Sequence, residues 1–270
     1  MGLFRNWPLL ALMPALALSA NQLAEVDLIF PRANETHAPW SLTPIVFAMK
    51  NPSLLSNLRP ILSYSISQPD RFSDRTITGD SVLLFEHNLI NVADPYMLYW
   101  SINLAVEGTF AFAWQVRLSN CSLNSETDKI DRHLFGGQGT QFSFSTKNNA
   151  SPPDLVAFAE KETCNQAFAL AVHIPSALQL PPTKTAEWGG SSCAVNPDFL
   201  PTPSPCNVKV DSSAAASISA SLTSAACSNV LRTGVSCPTP TSQNSASVPQ
   251  SPVTRVWILA IGGLLAYSLA

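Results

Sequence analysis

Four histidines occur in the 270 residues, His37, His87, His133 and His173. His133 stands where chemistry is easiest to imagine. Asp128 and Asp131 precede it and Gly136-Gly137-Gln138-Gly139 follows, an order that could set a general base beside a glycine-rich loop. The plainer expectation is a charged connection ending in a glycine turn. No HExxH or HxH pair is present, and no histidine lies at ligand spacing from a cysteine, so a metal site is not expected. There is no GxSxG nucleophile elbow. The glycine run lacks the lysine of a phosphate loop. Asp70, Asp74 and Asp80 alternate with Arg71 and Arg75, which fits a self-neutralised solvated loop better than the facing carboxylates of a glycosidase. A non-enzymatic protein without cofactor is therefore the expectation. An uncharacterised secreted hydrolase is the second alternative, and it would require His133 to meet a carboxylate in a cleft.

Binding chemistry is carried by aromatic residues. Trp40, Tyr99 and Trp188 fall in loops or on the milder face of alternating segments, where a ring could stack on the apolar C–H face of a sugar. A carbohydrate-binding module built on these three is the first alternative, with cell-wall polysaccharide as its ligand. Trp100 and Trp114 alternate with apolar positions and are expected in the core.

Cys121, Cys164, Cys193, Cys206, Cys227 and Cys237 make an even set, which on an exported chain favours three disulfides. Six cysteines allow 15 pairings. A local Cys193–Cys206 loop is plausible. Sequons at Asn34, Asn120 and Asn149 are candidate N-glycosylation sites, each of which would need an exposed turn.

Export is expected from the first residues. Arg5 supplies a positive charge, Pro8 to Leu18 an apolar stretch, and Ala17, Ser19 and Ala20 the small residues of a cleavage site, so residues 1–20 read as a signal peptide. The apolar stretch would span only about 16 Å as a helix, too little for a bilayer. Val256 to Ala270 is uncharged and mainly apolar, worth about 22 Å as a helix against a hydrocarbon core of about 30 Å. The small triplet Asn244-Ser245-Ala246 and a polar spacer, Ser247 to Arg255, precede it. Triplet, spacer and short apolar tail form the signal for a glycosylphosphatidylinositol (GPI) anchor, with Asn244 the expected attachment residue. The partner would then be a membrane, reached through the lipid, and the location the outer face of the plasma membrane or the cell wall. Losing both ends removes two cations and no acid, so the net charge falls from −3 to −5. No basic excess is left to bind nucleic acid.

These features must be held by strands. Phe110, Phe112, Trp114, Val116 and Leu118 alternate with Ala111, Ala113, Gln115, Arg117 and Ser119, and Tyr96 to Leu104 alternates likewise. Glu107-Gly108-Thr109 between them suggests a hairpin. Further strands are expected at Val26 to Phe30, Ile45 to Met49, Ile61 to Ser67, Val82 to His87, Gln141 to Ser145 and Phe168 to Ile174. The fold class is all-β, a two-sheet antiparallel sandwich of immunoglobulin-like or jelly-roll kind. Asp211 can cap one short helix over Ala214 to Ala226, whose Ile218 and Leu222 share a face and would dock on the domain. The expected boundaries are a signal peptide at 1–20, the sandwich with its helix at 21–230, a disordered Ser/Thr/Pro-rich stalk and spacer at 231–255, and the apolar tail at 256–270.

Three stretches carry a likeness: Glu25-Val26-Asp27-Leu28-Ile29-Phe30-Pro31-Arg32, Pro44-Ile45-Val46-Phe47-Ala48, and Pro205-Cys206-Asn207-Val208-Lys209-Val210-Asp211 leading into Ala216 to Ala220. Together they resemble a family of secreted proteins of filamentous ascomycete fungi, domain of unknown function 7136, over about residues 22 to 230. The resemblance implies a fungal cell-surface or secreted setting and brings no activity and no catalytic residues. A glycosylated, GPI-anchored surface protein acting in wall structure or adhesion is the leading expectation.

Overall fold

Phe110, Phe112, Trp114, Val116 and Leu118 enter one buried core, while Gln115 and Arg117 between them are exposed. The computed structural model in which this is seen describes residues 22–69, 75–124, 126, 129–156, 169–188, 190–200, 208–229 and 234–238. Its strands are β1 (Leu23–Phe30), β2 (Thr36–His37), β3 (Trp40–Lys50), β4 (Ile61–Gln68), β5 (Arg75–Leu83), β6 (Tyr96–Leu104), β7 (Gly108–Asn124), β8 (Lys129–Thr146), β9 (Ala169–His173), β10 (Ser176–Gln179), β11 (Ser192–Val195) and β12 (Asp198–Leu200). Two five-stranded sheets form. Sheet A has the order β12-β9-β1-β3-β6 and sheet B the order β2-β8-β7-β4-β5, with β10-β11 as a separate ribbon. Apart from the short β2–β8 contact, the pairings are antiparallel. The all-β sandwich is thus the fold.

The sheets meet through aromatic residues. Phe47 of sheet A stacks on Trp100 at 5.8 Å and meets Trp114 of sheet B edge-on at 5.4 Å. Such pairs add about 0.5–1.5 kcal/mol each beyond the area they bury.

The two sheets differ in what covers them. In sheet A, β1 and β3 are buried almost throughout. Their inward residues (Val26, Leu28, Ile45, Phe47) join the inter-sheet core, and Ile29, Val46 and Ala48 form a second layer outside. The helix Ser212–Ser228 covers that layer with Ile218 and Leu222, and its N-terminus is capped by Asp211 Oδ1 accepting from the Ala214 N–H at 2.7 Å. In sheet B, β4 alternates Leu62, Tyr64 and Ile66 inward with Ser63, Ser65 and Ser67, so one face stays in water.

Three local expectations are corrected. β6 and β7 are not a hairpin: β6 pairs with β3 in sheet A and β7 with β4 and β8 in sheet B, so Glu107-Gly108-Thr109 carries the chain from one sheet to the other. The strand expected at Val82 to His87 lies earlier, at Arg75–Leu83, with a 3-10 turn at Leu84–Glu86; this keeps Leu84 in the core. Gly136-Gly137-Gln138-Gly139 is not a turn. It lies within β8, where Leu118 faces Phe135 and Arg117 faces Gly137, leaving Gly136 as a bulge residue. The folded unit also runs on to Cys237, past the expected boundary at 230. The Cys227–Cys237 disulfide and a 2.7 Å hydrogen bond from Ser41 Oγ to the Gly234 carbonyl tie this segment to the sandwich. The expected signal peptide, the stalk beyond residue 238 and the tail with Asn244 lie outside the described residues.

Candidate functional site

The uncovered face of sheet B is hollowed into an open cleft of about 930 Å3. β4 contributes Ser63 and Ser65, β7 contributes Gln115 and Arg117, β8 contributes Gln141, and Ser81 of β5 closes one side. The register explains the set: Ser63 faces Ser81 and Gln115, and Ala113 faces Ser65 and Gln141, so outward positions of four strands fall in rows. Ser63 Oγ and Ser81 Oγ share a hydrogen bond of 2.8 Å. Gly139 holds the floor close. A Cβ there would collide with the Trp114 carbonyl and lie 2.8 Å from Gln115 Cβ. Tyr64 and Trp114, which border the cleft, are core residues.

A second constellation is buried in sheet A. Glu25 and Asp27 occupy alternate positions of β1 and are only 3 % and 0 % exposed. Lys50, paired with Glu25 across the β1–β3 ladder, donates to Glu25 Oε2 at 2.9 Å and lies 3.3 Å from Asp27 Oδ2. Two acids therefore face one ammonium in a dry site. Burial, reinforced by the neighbouring Glu25 carboxylate, pushes the Asp27 carboxyl up to about 8. Burial and the like charge thus favour the protonated form of Asp27, while the Lys50 ammonium hydrogen-bonds Glu25. Burial lowers the pKa of the Arg32 guanidinium, whose Nε donates to the Ile29 carbonyl at 2.8 Å, and the charge of Glu35 opposes that shift. This cluster was not singled out as chemistry from the sequence. Its signal was there, as two acids two apart inside the apolar run Glu25-Val26-Asp27-Leu28-Ile29-Phe30.

The expected aromatic platform is not assembled. Trp40 is 38 % exposed at the start of β3. Tyr99 is half-buried against the layer under the Ser212–Ser228 helix. Trp188 is 5 % exposed, packed with Cys121, Leu180 and Cys193, and its Nε1 donates to the Asn57 carbonyl at 3.3 Å. A ring that deep has no face for a sugar. Trp114 is buried and Trp100 packs on the core, as expected.

The histidines are scattered. His133 Nε2 lies 2.9 Å from Ser122 Oγ on an exposed stretch of the β7–β8 hairpin, and the raised carboxyl of Asp27 belongs to the other sheet. His87 meets the Tyr96 hydroxyl at 3.4 Å, His173 meets Gln22 Oε1 at 3.4 Å, and His37 is buried against Phe30. Among the described residues no three of His, Cys, Asp and Glu gather as a metal site.

The cysteine pairing differs from the local loop expected. Cys193 of β11 is bonded to Cys121 of β7, 72 residues away, and Cys227 to Cys237. The long-range bond forms because β11 lies beside β7, bringing the two Cα atoms to 6.0 Å. Cys164 and Cys206 lie outside the described residues. Of the sequons, Asn34 and Asn149 sit on exposed positions with left-handed backbone, φ 60° and 66°. Asn120 lies within β7 with its side-chain oxygen buried beside the Cys121 disulfide.

No curated protein matches the chain. Among solved structures, the PmoD soluble domain from Methylocystis sp. ATCC 49242 (Rockwell) matches 48 % of this chain and 94 % of its own, at 12 % identity and a TM-score of 0.20, too loose a superposition to carry an argument. The family comparison reaches much further. The sequence matches the family described as Domain of unknown function (DUF7136) over residues 19–237, from just before the first strand to the last disulfide cysteine, and the chain belongs to that family.

Proposed function

We propose that this protein is a non-enzymatic, glycosylated β-sandwich displayed on the outside of a fungal cell, held by a GPI lipid at Asn244 and acting in wall structure or adhesion. The observation that carries the reading is the Cys121–Cys193 bond, which ties β7 to β11 and persists in an oxidising compartment. The apolar segment 256–270 behind its polar spacer supports lipid attachment. The family match stops at residue 237, which leaves the Ser/Thr/Pro-rich segment as a spacer between sandwich and membrane. Treating intact cells with a GPI-specific phospholipase is expected to release the protein into the medium. Retention on the cell, with residues 256–270 still present by mass spectrometry, would overturn the anchor.

Glycosylation follows the exposed turns. Peptide mass spectrometry after enzymatic deglycosylation in heavy-oxygen water should label Asn34 and Asn149 and leave Asn120 unlabelled, since a strand residue beside a disulfide is a poor acceptor. Label at Asn120 in the mature protein would contradict the burial of its amide oxygen.

A further inference from the structure

We infer that the cleft on the outer face of sheet B binds a neutral, hydroxyl-rich chain, an uncharged polysaccharide lying across β5, β4, β7 and β8. The inference deepens the surface reading and rests on it for where such a polymer is met.

Burial separates the two outer faces. That of sheet A is apolar and covered by the Ser212–Ser228 helix. That of sheet B is left in water and carries the wide, open cleft. Its volume of about 930 Å3 lies at the upper end of the range of small-molecule sites, room for several sugar rings.

The chemistry of the lining selects the occupant. Ser63 and Ser65 each offer a hydroxyl that donates and accepts, and Gln115 and Gln141 each offer an amide with two donors and two lone pairs. A floor of mixed donors and acceptors matches a ligand whose groups are themselves both, as sugar hydroxyls are. Charge points the same way. Among the described lining residues the charged ones are Arg117 and Asp80, and Asp80 is paired with the inward Tyr64 on the edge strand, so Arg117 is the charge on the outward face. A single guanidinium is not the basic cluster that an anionic polymer or nucleic acid needs, and the described lining holds no acidic cluster of the kind a polycation needs. The outward residues of β4 and β7 in the cleft are Ser63, Ser65, Ala113, Gln115 and Arg117, with no large apolar anchor of the kind that centres a protein interface. An added peptide strand would dock on a sheet edge, whereas the cleft lies on a face. Binding here is by hydrogen bonds, without the ring stacking expected from Trp40, Tyr99 and Trp188.

The test is affinity electrophoresis of the purified full chain in mild detergent. Separate gels contain neutral glucans, mannans and galactans, the anionic polymer alginate, and the cationic polymer chitosan. Migration should be slowed by at least one neutral polymer and by neither charged one. The double variant Gln115→Ala/Gln141→Ala should weaken that retardation at least tenfold, and Ser65→Trp, which fills the cleft from its floor, should abolish it. Both variants change water-facing positions, and unchanged near-ultraviolet circular dichroism would confirm their fold. Absence of retardation in every neutral gel, retardation only in a charged gel, or retardation untouched by both variants would each overturn the proposal. Because this is read on purified protein and phospholipase release on cells, an empty cleft and a missing anchor give different results.

Discussion

Replacing Cys121 and Cys193 together by alanine is expected to lower the free energy of unfolding by about 4 kcal/mol, the loop-closure value for a cross-link spanning 72 residues. Alanine avoids leaving two unsatisfied hydroxyls where both cysteines are buried. The matching change at Cys227 and Cys237 should cost less, about 3 kcal/mol, because that bond closes a separation of only 10 residues. The larger loss also has a local consequence. Cys121 and Cys193 pack with Leu180 and Trp188, so the β10–β11 ribbon loses its covalent bolt to β7. Guanidinium unfolding followed by intrinsic fluorescence would measure both effects, and Trp188 should become exposed before the main transition in the first variant. Equal losses for the two pairs, or a loss under about 1 kcal/mol for the first, would contradict the view that this bond secures the ribbon.

The parts of the fold open to reading from sequence are those where water touches one face. β7 shows its period of two because Gln115 and Arg117 face solvent while Trp114 and Val116 face the core. β1 and β3 are sandwiched between sheet B and the Ser212–Ser228 helix, so their outward positions are apolar too and periodicity says little about which face is which. The same double burial hid Glu25 and Asp27. An acid at alternate positions normally marks the wet face of a strand, and here that face is dry. Long-range facts were beyond local pattern. The short link before Gly108 looks like a hairpin and is a change of sheet, and Cys193 sits 13 residues from Cys206 yet bonds to Cys121. The cleft was legible only in its parts. Ser63, Ser65 and Gln115 are plain outward residues on their own strands, and it is the β4–β7–β8 register that sets them side by side. The helix at Ser212–Ser228 was readable because its cap and its Ile218/Leu222 pair are local features.

Asp27→Asn is expected to stabilise the protein and to flatten its response to pH. In the folded state the Asp27 carboxyl holds its proton up to about pH 8, because burial and the Glu25 charge oppose ionisation, whereas in the unfolded chain it lets go near its ordinary value of 3.8. Between those values the native state binds more protons than the unfolded one, so each rise in pH favours unfolding. Stability from this group is fully present below about pH 4, declines through the window from 4 to 8, and is constant above it. Asparagine mimics the neutral carboxyl, leaves the Glu25–Lys50 pair in place, and has no proton to lose. The variant should therefore gain on the order of 2–4 kcal/mol over the native protein as pH rises from 5 to 8, at 1.36 kcal/mol for each unit. Glu25→Gln supplies the crossed test. It removes the charge that helps keep Asp27 protonated, so Asp27 should ionise at lower pH and take over the pairing with Lys50, moving the window down. Denaturant unfolding at pH 5, 6, 7 and 8 for the three proteins measures all of this, and the difference between native and variant curves cancels the titration of groups they share. Parallel curves for the native protein and Asp27→Asn would mean that Asp27 is already ionised in the fold and that Lys50 is shared between two carboxylates.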